Sequence, residues 1–422
     1  MFQAVRGMQD ILPTITTQWQ QLEYHLKNLA HRYGYQEIRL PIIEKTALFH
    51  RLGEITDIVE KEMYTFADSK DQALSLRPEA TVGCVRAVIE HGLLKDPTQR
   101  LWYLGPMFRR ERPQKGRYRQ FHQFGAEAFG MIGPDIEAEL ISMSSRLFQT
   151  LGLEGQLRLE VNSLGNLDTR RQYRTKLVHY FNRYQQDLDE DSKRRLLTNP
   201  LRILDSKNPS IQDLIANAPQ LSHYLDSESE QHFQIFQDLL RTLNIPFKLN
   251  PRLVRGLDYY NKTVFEWVLQ DMLGSQNTVC AGGRYDGLVE QLTGPKMPAA
   301  GFAIGLERLI QLWIETHPTT PYTLDAYFIL ADQAARIQGL VLAEMLRTAL
   351  PTLKLQVDSL GGRFATQFKR ADKSGARFAL VLGDDELNSH TITIKALRTT
   401  EVQRKVSHSE CISYLQNALD SG

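Results

Sequence analysis

Residues 108–119 read FRRERPQKGRYR, and six of these twelve residues are basic. Pro113 and Gly116 interrupt the middle of the stretch, so no continuous helix can run through it. Apolar and aromatic runs flank it at 101–104 and 121–129, which favours two strands of a hairpin joined by a cationic loop. Arginine offers a planar fork of donors that matches phosphate and carboxylate oxygens. The stretch therefore predicts a hairpin tip that binds polyphosphate, with a solvated charged loop as the alternative.

The rest of the first 320 residues predicts a sheet interrupted by helices. Apolar side chains at helical spacing indicate a first helix from Thr16 to Tyr33, stopped by Gly34. Short apolar runs alternate with turns over 38–130 and again over 253–313, which indicates a mixed, largely antiparallel sheet. Between them, residues 166–246 are charged and helical in pattern, as in DLDEDSKRRLLTNP. This region predicts a helical insertion within the sheet domain.

The segment THPTTP at 316–321 predicts a linker, because its prolines and threonines disfavour helix and central strand. Four β-prone runs follow it, at 326–330, 353–357, 378–382 and 391–394, with helical stretches near 335–350 and 364–374. This alternation predicts a small α/β domain with an open, partly parallel sheet. A capping box places the start of the last helix at Ser407. We therefore expect four segments: 1–165, 166–246, 247–320 and 321–422.

Composition excludes several classes of protein. The 50 Lys and Arg residues nearly balance 49 Asp and Glu, so nucleic-acid binding would need local basic patches. Three widely spaced cysteines, Cys84, Cys280 and Cys411, argue against a disulfide framework or a cysteine zinc site. The first residues lack the apolar core of a signal peptide, and no run of about 18 apolar residues occurs. We expect a soluble, cytoplasmic protein without a membrane partner.

Several motifs carry a resemblance to a known family. FRRERPQKGRYRQFHQ at 108–123 resembles motif 2 of class II aminoacyl-tRNA synthetases, and RLP at 39–41 and GFAIGLER at 301–308 resemble motifs 1 and 3. LVRGLDYY at 253–260, AGGRYD at 281–286 and RGMQD at 6–10 resemble histidine-specific signatures. LRPEAT at 76–81 resembles the loop for the substrate amino group, with Ala80 where the family usually has glycine. The chain thus resembles the histidyl-tRNA synthetase family along almost its whole length.

The resemblance implies ATP-dependent attachment of L-histidine to tRNA(His) through histidyl-adenylate, with release of pyrophosphate and AMP. Arg109 and Arg255 are implied as the catalytic residues: Arg109 would contact the α-phosphate and the substrate carboxylate, and Arg255 would reach the α-phosphate from the other side. Arg117 and Arg308 would hold the γ-phosphate end. Phe121 would stack on adenine, with Glu111 near its exocyclic amine. Magnesium would accompany the phosphates.

A separate set of residues is implied for histidine itself. Glu127 and Tyr260 would take the two imidazole nitrogens, and Glu79, Thr81 and Gln123 the α-amino group. Tyr259 would line the pocket. If residues 253–260 form a strand, Tyr259 and Tyr260 face opposite sides and only one points at the ligand. A strand-end carboxylate facing solvent is the alternative role for Glu127.

The remaining implied partners are macromolecular. Arg112 and Gln114 would meet the tRNA acceptor end, the insertion would lie near the acceptor stem, and the last domain resembles an anticodon-binding domain. Motif 1 implies a homodimer. Two alternatives stay open: an inactive synthetase-like regulatory subunit of a histidine-biosynthetic phosphoribosyltransferase, and a synthetase-like RNA-binding sensor. The intact set of Glu79, Arg109, Gln123, Glu127, Arg255 and Arg308 favours the enzyme.

Overall fold

The computed structural model describes residues 2–50, 62–114, 116–206, 208–257, 259–270, 277–317 and 324–420. The chain divides into two compact units, Met1–Thr319 and Thr320–Gly422. The predicted linker at 316–321 begins inside the last helix of the first unit, and residues 318–321 lie outside the described part of the chain.

Helices flank the sheet of the first unit. They are α1 (Pro13–Arg32), α2 (Thr46–His50), α3 (Thr81–Glu90), α4 (Asp135–Thr150), α5 (Leu167–Asn182), α6 (Glu190–Thr198), α7 (Gln212–Ala216), α8 (Ser227–Thr242), α9 (Leu288–Gln291) and α10 (Leu306–Thr316). Helix α1 starts three residues before the predicted Thr16. Pro13 occupies its first position, where the missing N–H of proline costs no hydrogen bond.

The strands of the first unit include the hairpin predicted from residues 101–129. They are β1 (Gln36–Glu37), β2 (Ile43–Lys45), β3 (Tyr64–Ala67), β4 (Ala73–Leu76), β5 (Gln99–Phe108), β6 (Gln120–Phe129), β7 (Leu157–Ser163), β8 (Phe247–Leu249), β9 (Asn261–Leu269), β10 (Thr278–Arg284) and β11 (Ala299–Gly305). Strands β5 and β6 pair antiparallel from Gln99 opposite Phe129 to Phe108 opposite Gln120. The hairpin prediction is confirmed, and residues 109–119 form its loop.

Among the described residues, eight strands form one sheet in the order β1-β5-β6-β11-β10-β9-β7-β8. Only the outermost pairs, β1 with β5 and β7 with β8, are parallel. The prediction of a mixed, largely antiparallel sheet is confirmed. A smaller sheet has the order β2-β4-β3. In β10, Gly282 lies so close to Phe302 of β11 that a Cβ would be 2.7 Å from the Phe302 Cβ.

Two apolar cores flank the large sheet. One contains Trp19 of α1, Phe148 of α4 and Phe236 of α8, packed with strand residues such as Phe124 and Phe265. The other contains residues of the segment between β7 and β8, including Tyr173 and Phe181 of α5, together with Leu253, Tyr259 and Tyr285. The helices between residues 167 and 216 therefore share a core with the segment that precedes β9, whereas α8 packs in the first core.

A buried ion pair joins β10 to α4 in this unit. The Arg284 guanidinium binds both carboxylate oxygens of Glu137, and both side chains are fully buried. His232 of α8 also bonds Glu137, with Nε2 2.8 Å from Oε1. Burial favours a raised pKa for Glu137, but the bonds from Arg284 and His232 outweigh it and lower the pKa. Glu137 is therefore ionised, and its carboxylate links helix α4 to strand β10.

The second unit is the predicted small α/β domain. Its elements are β12 (Ala326–Leu330), α11 (Gln333–Ala349), β13 (Leu355–Val357), α12 (Phe364–Lys373), β14 (Phe378–Leu382), α13 (Asp384–Ser389), β15 (Thr391–Ala396), β16 (Arg404–Ser407) and α14 (His408–Asp420). The described strands have the order β13-β12-β14-β15-β16, parallel among the first three and antiparallel beyond.

The predicted capping box at the last helix is present. The Glu410 carboxylate accepts from Ser407 N at 2.8 Å, and Ser407 Oγ accepts from Glu410 N at 3.3 Å. Ser407 is therefore the cap, and α14 starts one residue later than predicted. Across the described residues, no helix is both long enough and apolar enough to cross a membrane.

We predict that Glu137→Ala lowers the free energy of unfolding by about 3–5 kcal/mol, because it leaves the Arg284 charge buried without its main partner. Denaturant unfolding followed by circular dichroism measures this. Glu139→Ala is the matched control. Glu139 also lies on α4, but its pair with Arg100 is about one-third exposed, so the change should cost less than about 1 kcal/mol.

The same pair predicts a dependence on pH. Since the folded state lowers the pKa of Glu137, its stabilisation is complete above the ordinary value of 4.5 and is lost as pH falls below it. The difference between wild type and Glu137→Ala should shrink between pH 6 and pH 3. Equal costs for the two alanine variants at pH 7 would contradict the role given to this pair.

Candidate active site

A cavity of about 380 Å³ lies against the large sheet, between the hairpin loop, the segment before β9, and the start of α10. Most of the predicted site residues line it. They are Glu79, Thr81, Arg109, Glu111, Arg117, Phe121, Gln123, Arg255, Tyr259, Tyr260 and Arg308. The predicted residues outside the lining are Glu127, which is buried, and Arg112 and Gln114, which are exposed on the hairpin loop.

The carboxylate of Glu79 is fixed at the start of α3. Its two oxygens accept the backbone N–H groups of Thr81 and Val82, each at 2.9 Å. These N–H groups have no partner within the helix, and the helix dipole favours a negative charge there. Burial nevertheless raises the pKa of Glu79. The cavity therefore holds a rigid acidic group whose ionised form a cationic ligand would favour.

Arg109 follows the last residue of β5. Its Nε donates to the Pro78 carbonyl at 2.9 Å, and its guanidinium carbon is 5.1 Å from the centre of the Phe121 ring. The bond and the stacking orient the guanidinium in the wall of the cavity. Burial lowers the pKa of Arg109, although the group stays far from neutral at physiological pH. Arg109 thus provides the site with a positive charge that is largely shielded from water.

Arg255 forms an ion pair with Glu266, a residue of β9 that also lines the cavity. Thr278 Oγ1 donates to the second oxygen of Glu266 at 2.9 Å. Burial favours a lower pKa for Arg255, but Glu266 outweighs it and raises the pKa. Glu266 was not among the predicted residues. The sequence feature that could have indicated Glu266 is a single carboxylate within the apolar strand sequence VFEWVL.

The two remaining predicted cations, Arg117 and Arg308, also line the cavity. Arg117 pairs with the Glu111 carboxylate, and its Nη2 is 3.8 Å from a carboxylate oxygen of Glu62. Arg308 at the start of α10 donates to the Thr278 carbonyl. Burial, and then the charge of Arg117, lower the pKa of Arg308. The cavity therefore brings like charges together and balances part of them with carboxylates.

The expected alternation of Tyr259 and Tyr260 is wrong. Residues 253–257, 259 and 260 are not in a strand, since β9 begins at Asn261, and both tyrosines line the cavity. Their ring centres are 4.6 Å apart and the planes are tilted by 32°. Strand periodicity does not apply to this irregular segment, so neither tyrosine is turned away from the cavity.

Glu127 lies beneath the cavity at the centre of three hydroxyl groups, with 1% of its surface exposed. Thr81 Oγ1 and Tyr103 Oη donate to Oε1 at 2.7 and 3.1 Å, and the Tyr285 hydroxyl donates to Oε2. Burial raises the pKa of Glu127 to about 8. The alternative of a solvent-facing carboxylate is wrong.

Gly301 separates Glu127 from the cavity. It lines the cavity, and a Cβ at this position would overlap Glu127 Oε2. The lack of a side chain therefore keeps this oxygen within reach of a ligand. Each carboxylate oxygen has two lone pairs. Since Oε2 accepts from Tyr285 alone among the described residues, it can accept one further donor.

Other residues at or beside the site were not among the predicted ones. The Glu307 carboxylate accepts from the backbone N–H of His122 at 2.9 Å and lies 2.9 Å from its Nδ1. Arg202 and Asp205, from the segment after α6, reach the same cavity and pair with each other at 3.1 Å. The His122–Glu307 contact joins positions far apart in sequence, so spacing along the chain could not reveal it. Arg202 and Asp205 are close in sequence, but their place at the cavity depends on how the segment after α6 folds against the rest of the unit.

Comparison with known proteins identifies the families that the two units match. Residues 7–309 match the family model of histidyl-tRNA synthetase, and residues 331–418 match that of an anticodon binding domain. A crystal structure of apo histidyl-tRNA synthetase from S. aureus is similar over 99% of this chain and 100% of that chain, with 35% identity and a TM-score of 0.81.

Two more distant structures share the fold. Histidyl-tRNA synthetase from Nostoc sp. PCC 7120 is 20% identical, with a TM-score of 0.68 over 99% of this chain and 100% of that chain. An ATP phosphoribosyltransferase regulatory subunit/histidyl-tRNA synthetase from Bacillus halodurans is 21% identical, with a TM-score of 0.62 over 88% and 96%. The family is shown by the match to residues 7–309 and by the S. aureus protein: the chain belongs to the histidyl-tRNA synthetase family.

Proposed function

We propose that the protein attaches L-histidine to tRNA(His) in two steps, with ATP as the energy source. In the first step, the histidine carboxylate attacks the α-phosphate, which forms histidyl-adenylate and releases pyrophosphate. In the second, a hydroxyl of the terminal tRNA adenosine attacks the acyl carbon and releases AMP. Both partners of the first step are anionic, so the site must supply positive charge around the phosphorus.

The observation that carries this proposal is the convergence of Arg109, Arg117, Arg255 and Arg308 on one cavity that also holds the Glu79 carboxylate. The guanidinium groups match the charge of a triphosphate, and Glu79 matches an ammonium group. A nucleotide site alone would not require that acidic group. The combination fits an amino acid and ATP bound side by side.

Arg255 is proposed to exchange partners when the substrates bind. Arg255 is paired with Glu266, and the bond from Thr278 gives Glu266 a second partner. The triphosphate of ATP carries several negative charges, whereas the Glu266 carboxylate carries one, and phosphate oxygens match the geometry of a guanidinium group. We infer that Arg255 then leaves Glu266 for the α-phosphate, opposite Arg109. No side chain need act as a general base, because the nucleophile is already a carboxylate.

Recognition of histidine is assigned to the two sides of the imidazole ring. Glu127 Oε2 would accept one ring N–H past Gly301, and the Tyr260 hydroxyl would donate to the other nitrogen. Glu79, Thr81 and Gln123 would surround the α-amino group. Gln123 Oε1 is buried and has no hydrogen-bond partner among the described residues, which supports a polar ligand at this point.

The ATP site is assigned to the opposite end of the cavity. Phe121 would stack on adenine and Arg117 and Arg308 would hold the γ-phosphate end. Glu111 would meet the adenine amine after release of Arg117. We propose that Mg²⁺ enters with ATP, held mainly by phosphate oxygens and water. Carboxylates are the side chains this ion prefers, and Glu111 and Glu266 line the cavity.

The macromolecular partners form the last part of the proposal. Arg112 and Gln114 would contact the acceptor end of tRNA, residues 166–246 would form an insertion near it, and the unit after residue 320 would bind the anticodon loop. We propose a homodimer in the cytoplasm. Ile42 and Ile43, directly after the motif 1 sequence, are exposed apolar residues suited to a dimer contact. The three free cysteines suit a reducing compartment.

The test of this function is histidine-dependent exchange of labelled pyrophosphate into ATP, followed by charging of tRNA(His). Exchange that requires histidine supports the proposal. A regulatory subunit or an RNA-binding sensor would show none, and that result would refute it. The regulatory role is not favoured, because the similarity to the Bacillus halodurans protein, at 21% identity, shows the fold alone.

We predict that Arg255→Ala slows single-turnover adenylate formation by about 100-fold or more, because it removes one preorganised charge at a phosphoryl-transfer site. Arg252→Ala, at an exposed position three residues earlier, should stay within about twofold of wild type. The double variant Arg255→Ala/Glu266→Gln avoids an unpaired buried carboxylate and should be equally slow. If the double variant regained wild-type rates, Arg255 would not be catalytic.

We predict that Glu127→Gln raises the KM for histidine about 10- to 100-fold at pH 8.5, since an amide replaces a charge-assisted acceptor. The KM for ATP should change little. Because the pKa of Glu127 is raised to about 8, the defect should grow as pH rises from 7 to 9, where the wild-type carboxylate becomes ionised. Exchange kinetics against each substrate measure this. Equal losses for histidine and ATP would disprove contact with the imidazole.

We predict that a chain ending at Thr319, where the first compact unit ends, still forms histidyl-adenylate but charges tRNA poorly. It lacks the unit proposed to bind the single-stranded anticodon loop, whose unstacked bases proteins can recognise. Charging at low tRNA concentration measures the loss, with circular dichroism to show that the shortened chain is folded. Unchanged charging would contradict the role of the second unit.

A further inference from the structure

The N-terminal turn, residues 5–8, lies against the hairpin loop of residues 109–119. Met8 N donates to the Val5 carbonyl at 2.8 Å, which closes the turn. Gly7 has a φ of +87°, in the left-handed region that glycine adopts without strain. The turn has no residue in the lining of the active-site cavity. Any effect of the turn on the site therefore acts through the hairpin loop that it contacts.

The carbonyl of Gly7 accepts hydrogen bonds from the end of the loop, where the chain enters β6. It accepts from Arg119 N at 2.7 Å and from Gln120 N at 3.3 Å, and Arg119 Nη1 donates to the Arg6 carbonyl at 3.4 Å. Arg119 also bridges the loop itself. Its carbonyl accepts from Arg109 N at 2.9 Å, and its Nε donates to the Glu111 carbonyl at 3.1 Å. The turn thus attaches to the residue that joins both sides of the loop.

The first half of the loop, which follows β5, also packs against Gly7. A Cβ on Gly7 would lie 2.8 Å from Pro113 Cγ and 3.0 Å from Arg119 Cγ. These distances are shorter than van der Waals contact, and the proline ring has little freedom to move away. Only a residue without a side chain can hold both sides of the loop at this spacing.

The loop carries Glu111, Arg112, Gln114 and Arg117, which the proposed function assigns to ATP and to the tRNA acceptor end. Placing charged groups within a fraction of an ångström is costly for a free loop, because its backbone entropy must be lost on binding. A contact that orders the loop before substrates arrive removes part of that cost.

We propose that the N-terminal turn is a positioning element for the hairpin loop, and that Gly7 is the residue through which it acts. The inference rests on the proposed function for its kinetic consequence. Loss of the contact weakens ATP and tRNA acceptor binding. Histidine binding is affected less than ATP binding, because Glu79, Glu127 and Tyr260 lie outside the loop and only Arg109, its first residue, is assigned to the histidine carboxylate.

The kinetic test is Gly7→Ala in pyrophosphate exchange. The KM for ATP should rise about tenfold, while that for histidine stays within about twofold. Gly34→Ala is the matched control, since Gly34 also has a positive φ of +76° but an added Cβ would meet no atom within 4 Å. The control should change neither KM by more than about twofold. If Gly7→Ala matched the control, or weakened both substrates equally, the proposal would be wrong.

A rescue variant separates the contact from backbone strain. Pro113→Ala removes the atom closest to the added Cβ, so Gly7→Ala/Pro113→Ala should recover part of the ATP affinity lost in Gly7→Ala. Pro113→Ala alone provides the reference. No recovery relative to that reference would overturn the role of the Gly7–Pro113 contact.

Proteolysis tests the loop without any assumption about activity. The loop has six basic residues including its first, Arg109, so trypsin can cut it wherever it opens. Cleavage within 109–119, mapped by mass spectrometry, should be about tenfold faster in Gly7→Ala than in Gly34→Ala. Equal rates would refute positioning. If wild type failed in pyrophosphate exchange but the cleavage rates differed, the proposed function alone would fall.

Discussion

Several guanidinium groups around one cavity repel one another, and burial deprives each of its hydration. The protein meets this constraint with carboxylates at fixed positions. Glu266 pairs with Arg255 and Glu111 pairs with Arg117 in the walls of the cavity. These pairs hold the cations at fixed positions in the cavity wall. Under the proposed function, an anionic substrate would compete with these carboxylates for the guanidinium groups.

The sheet makes this arrangement possible because it is nearly continuous under the site. Strands β6, β11, β10 and β9 are neighbours, and together they supply Gln123, Gly301, Ala281 and Glu266 to the cavity lining. Because Gly301 of β11 has no side chain, the Glu127 carboxylate beneath the sheet surface stays within reach of the cavity. Below, the Glu137–Arg284 pair ties β10 to α4. Residue 285 follows directly and its hydroxyl donates to Glu127, so one segment contributes both to fold stability and to the proposed recognition of histidine.

Local sequence was sufficient for features with a local cause. The basic run at 108–119 between apolar runs predicted the hairpin, and Ser407 with Glu410 predicted the final cap. Features that depend on distant parts of the chain were not predictable in this way. Glu266 matters because a segment eleven residues away folds back on it, and Gly7 because it meets Pro113. The tyrosine alternation failed because residues 253–260 were assigned a period that an irregular segment does not have.

The proposed activation step moves Arg255 from a carboxylate to a phosphate. This movement can be tested with a crystal structure of the protein bound to a stable sulfamoyl analogue of histidyl-adenylate. We expect the Arg255 guanidinium to lie within hydrogen-bond distance of the sulfamoyl oxygens that replace the α-phosphate, with Glu266 released and still bound to Thr278. An Arg255 side chain that remained on Glu266 while the analogue occupied the cavity would contradict it.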